Sequence, residues 1–110
     1  MIHLQIYENA GKCWRKDGLC HRDNGPAVCW PNGDHEWWVN GNIHRLNGPA
    51  RIWGNDIFGS NNVEWWENGV VHRLNGPAIT RPSGAVEYWI DGNYVTEYEL
   101  MFLSHQVKTI

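Results

Sequence analysis

Three histidine–arginine pairs carry the side chains of this chain that are best suited to chemistry. The pairs are His21-Arg22, His44-Arg45 and His72-Arg73. A histidine can transfer protons near neutral pH, and a guanidinium can grip a phosphate or a carboxylate through two hydrogen bonds. Each pair opens the same phrase, His-Arg-x-Asn-Gly-Pro-Ala. Catalysis needs one special constellation, whereas a residue that recurs in every copy is more easily explained by stacking between copies.

Two interpretations of these pairs stay open. In the first, guanidiniums and imidazoles beside tryptophan planes form an anion or ligand site. Its residues are Arg22, Arg45, Arg73, His44 and His72. In the second, which we favour, each arginine stacks on a tryptophan and pairs with a glutamate of the neighbouring strand, while each histidine hydrogen-bonds the backbone bend. This ladder needs three acidic partners, and three recur at one repeat position: Glu36, Glu64 and Glu87.

The cysteines invite a zinc site but do not have its spacing. Cys13, Cys20 and Cys29 lie near His21 without the close C-x₂-C pairs that structural zinc sites usually contain. Cys20 and Cys29 occupy positions where other copies carry valine or isoleucine, so we expect them to be small apolar fillers. No serine, cysteine or histidine stands apart from the repeat with an orienting partner. We therefore expect no metal, no cofactor and no catalytic residue.

The composition narrows the class of protein further. Eight tryptophans in 110 residues exceed normal usage several-fold, and large rings can supply a core where leucine and isoleucine are scarce. A net charge of −3 argues against general nucleic-acid binding, which normally requires a basic face. The sequence contains neither a signal peptide nor an apolar run near the roughly 20 residues of a membrane span. We expect no membrane association and a cytoplasmic location.

The repeated phrase divides residues 1–110 into a single repeat domain. The copies start at residues 21, 44 and 72. The two intervals differ because the middle copy is five residues longer than the first. A period in the twenties predicts a stacked array. The expected units are an N-terminal cap with half a repeat at 1–20, repeats at 21–43, 44–71 and 72–95, and a capping helix at 96–110.

Each copy predicts one β-hairpin. Asn-Gly or Asp-Gly pairs favour tight turns, and the segments between them are short, aromatic and β-branched. The expected fold is mainly β: an elongated, curved antiparallel meander of about three and a half 23-residue hairpins, closed by a short C-terminal helix. At one end Ile2, Leu4 and Ile6 predict a half-buried strand that pairs with Lys12–Arg15. At the other, Thr96 to Glu99 forms a capping box. The apolar helix face beyond it comprises Leu100, Leu103, Val107 and Ile110.

Two tryptophan columns should face opposite sides of the sheet, since adjacent strand residues alternate between faces. We expect one column to be core and the other to be partly exposed. The first expected column is Trp14, Trp38, Trp66 and Trp89; the second is Cys13, Trp37, Trp65 and Tyr88.

At this level of detail the chain resembles a known family. Trp66-Glu67-Asn68-Gly69, followed by a turn, a second strand and Pro82-Ser83-Gly84, is similar to the MORN repeat, a hairpin of roughly 23 residues. The usual Gly-x-Gly of its second strand is replaced by His-Arg-x-Asn-Gly-Pro-Ala. That variant resembles small repeat proteins of tailed phages and giant viruses. The resemblance covers residues 12–95 and implies a hairpin-repeat fold, with lipid binding or scaffolding as the family's associated roles.

The sequence predicts a non-catalytic viral inhibitor or modulator that occupies a host protein or protein complex. The aromatic sheet face and the 54–63 loop of the middle copy are its expected contacts, because exposed apolar loop residues commonly mark interaction sites. The nominated partner-binding residues are Trp53, Ile57, Phe58, Trp37 and Trp65. One alternative is sequestration of a nucleotide between the tryptophan and arginine columns. A second is a structural or homo-oligomer-forming module.

Overall fold

The computed structural model describes residues 2–54 and 61–108, with side chains described as far as residue 104. These residues form short strands and one helix. In chain order they are β1 (Ile2–Ile6), β2 (Lys12–Lys16), β3 (Leu19–Cys20), β4 (Val28–Cys29), β5 (His35–Glu36), β6 (Trp38–Val39), β7 (Asn42–Ile43), β8 (Arg51–Trp53), β9 (Asn62–Glu64), β10 (Trp66–Glu67), β11 (Val70–Val71), β12 (Ile79–Thr80), β13 (Val86–Ile90), β14 (Asn93–Val95) and α1 (Glu97–Lys108).

The strands confirm the predicted antiparallel meander. One main sheet runs in the order β1-β2-β4-β5-β8-β9-β12-β13-β14, with β3 paired to β2, while β6-β7 and β10-β11 form separate two-stranded hairpins. The molecule measures 46 × 35 × 19 Å, as expected of a single elongated layer. The mainly β fold with a short C-terminal helix is therefore confirmed.

A bend divides each of the first two repeats between the main sheet and a projecting hairpin, whereas β13 runs unbroken through the corresponding positions of the third repeat. Glu36 lies in the main sheet and Trp38 in the hairpin, and Trp37 between them belongs to neither strand. The backbone of Trp37 is still satisfied, since its N–H donates to the carbonyl of Ala50 and its carbonyl accepts from the N–H of His44. The hairpin then closes at Asn40, with a φ of 49°, and at a glycine. The strand direction changes at the bend without the loss of a backbone hydrogen bond.

Each projecting hairpin also contacts the next one. The N–H of Arg45 donates to the carbonyl of Trp66, and the N–H of Gly69 donates to the carbonyl of Ile43. A histidine ring adds a third link: the N–H of Asn68 donates to Nδ1 of His44 across 2.9 Å. The same bond joins Asn40 to His21 and Asp91 to His72, each at 2.9 Å. The histidines therefore bond backbone, but at the turn of the following hairpin and not at the predicted bend of their own loop.

The arginine ladder exists, but with a different hydrogen-bond partner from the predicted one. The guanidiniums lie over tryptophan rings, Arg45 at 3.9 Å from Trp37 and Arg73 at 3.8 Å from Trp65. Arg22 lies 4.7 Å from Trp14. Their Nη1 atoms donate to proline carbonyls of the same loops, at Pro26, Pro49 and Pro77. The predicted pairing with Glu36, Glu64 and Glu87 is wrong, because the His-Arg-x-Asn-Gly-Pro-Ala loop turns back on itself and brings its own carbonyl within reach.

Small residues occupy the tightly packed center of each repeat. Ala27, Ala50 and Ala78 have no exposed surface, so the position after each proline has no room for a larger side chain. A Cβ added to Gly48 would lie 2.7 Å from Cζ of Arg45, so the glycine leaves room for the folded arginine. Dense packing around alanine and glycine makes this region sensitive to added volume.

The predicted tryptophan columns are wrong by one residue in the N-terminal half repeat. The N–H groups of Trp14, Trp37 and Trp65 donate to the equivalent carbonyls of Ala27, Ala50 and Ala78. Trp14 therefore belongs with Trp37 and Trp65, and Arg15 takes the position of Trp38, while Cys13 takes the position of Glu36. The place of a residue in a column depends on its distance along the chain from the hairpin turn. The prediction instead aligned Trp14 with Trp38 because both are tryptophans.

The two ends differ in how well the prediction describes them. The strand β1 pairs with β2 from Ile2↔Lys16 to Ile6↔Lys12, as expected. Its five residues are all exposed, however, so the prediction of a half-buried strand was wrong. The reason is that β1 is an edge strand, with a neighbouring strand on one side only.

The helix α1 begins with the predicted capping box. The N–H of Glu99 donates to Oγ1 of Thr96, and the N–H of Thr96 donates to a carboxylate oxygen of Glu99. Leu100 is buried, whereas Leu103 is 37% exposed. Val107 and Ile110 lie beyond the described side chains. Within residues 2–54 and 61–108, no helix is long and apolar enough to cross a membrane.

Candidate functional site

Trp38 and Trp66 are held in place by carboxylates two residues earlier. Nε1 of Trp38 donates to Oε1 of Glu36, and Nε1 of Trp66 donates to Oε1 of Glu64, each across 2.9 Å. The bond joins residues on the two sides of the bend and holds the indole beside the carboxylate. The bond satisfies the indole N–H and fixes the ring orientation.

Arg51 is a chemical interruption of the repeat. Cross-strand partners form a row of side chains on one face of the main sheet, which we call the carboxylate row: Cys13, Val28, Glu36, Arg51, Glu64, Ile79 and Glu87. The first strand of each copy contributes one member of this row, which is Val28, Arg51 or Ile79. The middle copy therefore carries a guanidinium where the other two carry an aliphatic side chain.

Arg51 bridges two carboxylates. Its Nε lies 2.9 Å from Oε2 of Glu36, in a contact that is ionic and off the N–H axis, and its Nη1 lies 3.6 Å from Oε1 of Glu64. The side chain of Glu64 is only 10% exposed, against 37% for Arg51. A carboxylate removed from water requires a partner, and Arg51 serves both glutamates.

These residues line an open groove between two projecting hairpins, which we call the Trp38–Trp66 groove. Its volume is about 400 Å³. The lining residues are Glu36, Trp38, Gly41, Asn42, Ile43, Arg51, Trp66 and Gly69. Volumes of roughly 300–1,000 Å³ are typical of small-molecule sites, and the lining combines apolar rings with few polar groups in the manner of such sites.

The repeat sets the separation of the two indoles. Glu36 and Glu64, to which the two indoles are bonded in the same way, lie two strands apart in the main sheet, or roughly 9.6 Å at the usual strand spacing of about 4.8 Å. Two stacking contacts with centroid distances of about 4.5–5 Å add to nearly the same length. A flat group can therefore enter between Trp38 and Trp66 and contact both.

The nominated partner-binding residues do not all reach this groove. Trp37 and Trp65 each have one ring face covered by an arginine of the ladder. Trp53 is closer to the groove, because the guanidinium of Arg51 lies 5.2 Å from its ring. Ile57 and Phe58 lie outside the described residues, and a role for the 54–63 loop stays a prediction.

The nominated anion contacts converge only in part. A smaller cavity of about 180 Å³ brings His72 and Arg73 together with Trp65. Burial lowers the pKa of Arg73 below its ordinary value. Arg22 and Arg45 serve other loops of the ladder, and His44 is committed to the Asn68 backbone. Each arginine already donates to a proline carbonyl, so an anion here would compete with an existing hydrogen bond.

The cysteines pack together as thiols. Sγ of Cys13 lies 3.3 Å from Sγ of Cys20, and burial, followed by the Cys20 hydrogen bond, raises the pKa of Cys13 from 9.0 to about 11. A thiol held neutral in this way is a poor nucleophile and a poor metal ligand. In the part of the chain that the structure describes, no three His, Cys, Asp or Glu residues are arranged to hold a metal ion.

A second cavity of about 430 Å³ lies between the loop around Asn75 and the helix α1. Leu74, Pro77 and Tyr88 form one side, and Leu100 and Met101 form the other. It is as large as the Trp38–Trp66 groove. The cavity forms where the capping helix packs against the last repeat, and its lining contains a single charged residue. It therefore offers fewer groups that could recognise a ligand.

Sequence reasoning missed the groove residues Trp38, Trp66 and Arg51. A signal for Arg51 was present, because aligning the residue after Pro-Ala gives Val28, Arg51 and Ile79. The wrong tryptophan register concealed the other two. Comparison with known proteins adds no assignment: no family model, no curated protein and no solved structure matches this chain.

Proposed function

We propose that this chain is a non-catalytic binding protein that recognises a partner protein through the Trp38–Trp66 groove. One observation carries the proposal. The residue that breaks the chemical repeat, Arg51, lies on the floor of an open groove between two indoles. A stack of equivalent hairpins needs equivalent residues for its stability, so a departure at an exposed position indicates a separate requirement.

The histidines support a binding role over a catalytic one. His21 is buried, and both ring nitrogens are occupied: Nδ1 accepts from the N–H of Asn40, and Nε2 contacts Asp23 at 2.8 Å. A general base needs a nitrogen that can reach substrate. Structural use of the imidazole leaves His21 without a free proton-transfer position.

Anion or nucleotide binding remains the second candidate, favoured by the cavity at His72, Arg73 and Trp65. At about 180 Å³ it is smaller than the roughly 300 Å³ at which small-molecule sites begin. A single phosphate group fits such a volume better than a nucleotide. The expectation of a viral protein acting on a host protein in the cytoplasm rests on the family resemblance and stays a prediction.

Site-specific crosslinking tests the proposed function. Benzoylphenylalanine placed at Asn42, an exposed residue of the groove, should crosslink a discrete partner in lysate of the cells that naturally contain the chain. The matched control places the crosslinker at Glu8, which is also exposed and lies near the opposite end of the sheet. A product specific to Asn42 that disappears in Trp66→Ala supports the proposal. Identical products from both positions, or none from Asn42, would overturn it.

A further inference from the structure

The groove carries an imbalance of charge. The carboxylate row contains Glu36, Glu64 and Glu87, whereas two guanidiniums accompany it, Arg51 and the Arg81 that lies 2.7 Å from Glu87. Three carboxylates and two guanidiniums leave a net charge of −1. The deficit falls nearest the groove, because Arg81 pairs with Glu87 and acts only more weakly on Glu64, while Arg51 is shared between Glu36 and Glu64.

Glu64 is the carboxylate with the least compensation. Its side chain is 10% exposed, yet its nearest described cation lies 3.6 Å away and is closer to Glu36. Both Arg51 and the indole of Trp66 contact Oε1 of Glu64, and neither contacts Oε2. An ionised carboxylate offers about four acceptor positions. Glu64 does not itself line the groove, but Arg51 and Trp66, which contact it, do. A further cation in the groove would therefore offset this poorly solvated charge at short range.

The faces of Trp38 and Trp66 favour the same kind of ligand. Tryptophan has the strongest attraction for cations among the aromatic side chains, and arginine adds flat stacking to that attraction. The protein already uses this pairing internally, with Arg73 3.8 Å from the ring of Trp65. The neighbouring Trp66 presents its indole to the groove instead.

We propose that the Trp38–Trp66 groove binds the side chain of one arginine from a basic segment of the partner protein, stacked between the two indoles and compensating Glu64. This inference rests on the proposed function, since it names the group that the partner inserts. The net charge of −3 for the whole chain favours approach of a basic segment at low salt. An anionic group is disfavoured, because Arg51 is already neutralised and an anion would approach Glu36 and Glu64.

A matched set of peptides tests the inference directly. Fluorescein-labelled peptides of Gly and Ser carry one central residue, which is arginine, lysine, citrulline or glutamate, and binding to the full chain is followed by fluorescence anisotropy. Citrulline has nearly the shape of arginine without its charge. Arginine should bind about tenfold more tightly than citrulline, lysine should be intermediate, and glutamate should be weakest. Raising the salt should weaken the arginine peptide and leave the citrulline peptide unchanged.

Two variants with opposite expected effects keep the inference falsifiable even if one fails to fold. Glu64→Gln removes a charge beside the groove and should weaken the arginine peptide about tenfold. Arg51→Gln makes the groove more negative and should strengthen it several-fold. Trp30→Ala is the control, since Trp30 is 38% exposed and lies outside the groove. Its affinity should equal that of the wild type.

Several outcomes would overturn the arginine site. Equal affinity for arginine and citrulline would show that charge is not read, and tighter binding of the glutamate peptide or of adenosine monophosphate would show an anion site. If no peptide binds while Asn42 still crosslinks a partner, the cationic occupant is wrong and the proposed function stands. If neither is observed, both fail.

Discussion

The two tryptophan columns of this chain occupy adjacent positions along the same strands but have different surroundings. Trp37 and Trp65 lie at the bend, each with one ring face covered by an arginine that is itself bonded to a proline carbonyl. Trp38 and Trp66, one residue further, line an open groove with Arg51. The covered column is surrounded by residues that recur in every copy, whereas the open column adjoins a residue found in one. The residues that recur in every copy therefore stabilise the stack, whereas the residue that does not recur, Arg51, lies at the proposed recognition groove.

The covered column also explains why the phrase His-Arg-x-Asn-Gly-Pro-Ala recurs as a unit. The arginine folds over the glycine, the proline supplies the carbonyl, and the alanine lies beneath the neighbouring copy without exposed surface. The histidine joins the turn of the following hairpin. Each residue of the phrase depends on another, so we expect substitutions in it to lower the free energy of unfolding.

The largest effect should come from adding volume at the alanine. Ala50→Leu places a large side chain where no surface is exposed and should destabilise the fold by about 3 kcal/mol, toward the upper end of overpacking costs. Val70→Leu, at a position 41% exposed, is the control and should change little. Urea unfolding followed by tryptophan fluorescence measures both. Similar midpoints for the two variants would show that the alanine is not confined.

Removal of the ladder arginine should have the next largest effect. Arg45→Ala uncovers Trp37 and removes the bond to Pro49, at a cost of about 2 kcal/mol. Gly48→Ala should displace the same guanidinium, because the added Cβ would lie 2.7 Å from its Cζ. The two changes therefore disrupt one contact, and the double variant should cost clearly less than the sum of the single variants. Additive costs in urea unfolding would contradict this shared contact.

Loss of one histidine link should cost less. His44→Ala leaves the N–H of Asn68 without its imidazole acceptor, and since Asn68 is exposed, water can replace it. We expect a loss of about 1 kcal/mol. His35→Ala, which loses a local contact with the carbonyl of Gly33, is the control for removal of an imidazole. A thermal melt in which His44→Ala matches the wild type while phosphate binding is lost would assign His44 to an anion site.

The smallest effect should be the pH dependence at the edge of the carboxylate row. The hydrogen bond from Arg81, followed by that from Trp89, lowers the pKa of Glu87 below its ordinary value of 4.5. A lowered pKa means that the folded state binds fewer protons than the unfolded state, so the stabilisation is present above pH 4.5 and is lost as the pH falls below it. Arg81→Ala should therefore lower the urea midpoint slightly at pH 7 and have a smaller effect at pH 3. A larger difference at pH 3 would reverse the sign.

The sequence predicts the parts of this fold that depend on local chemistry. The turn at Asn40-Gly41, the capping box of α1 and the antiparallel meander follow from residue type and period, and the structure contains them. The register of Trp14 did not follow, because a difference of one residue in the spacing to the turn moves a side chain to the other face. The exposure of β1 depends on what lies beside the first strand, which its own alternation does not encode.

The candidate site was harder to predict, because it combines residues from five strands of two repeats. Glu36 and Arg51 come from the main sheet, whereas Trp66 comes from a projecting hairpin. Their proximity depends on the bend, which has no separate signature in the residue pattern. Only the departure of Arg51 from the repeat was visible in the sequence.

Nuclear magnetic resonance of the indole N–H groups tests the central claim most directly, because each of the eight tryptophans contributes one signal. The ¹⁵N-labelled chain is titrated with the arginine-centred peptide, and the signals are assigned by single Trp→Phe variants. The indole signals of Trp38 and Trp66, which are bonded to Glu36 and Glu64, should shift together and saturably. Those of Trp37 and Trp65 should stay in place. Shifts confined to Trp37 and Trp65, or no indole shift at saturating peptide, would contradict the assignment of recognition to the open column.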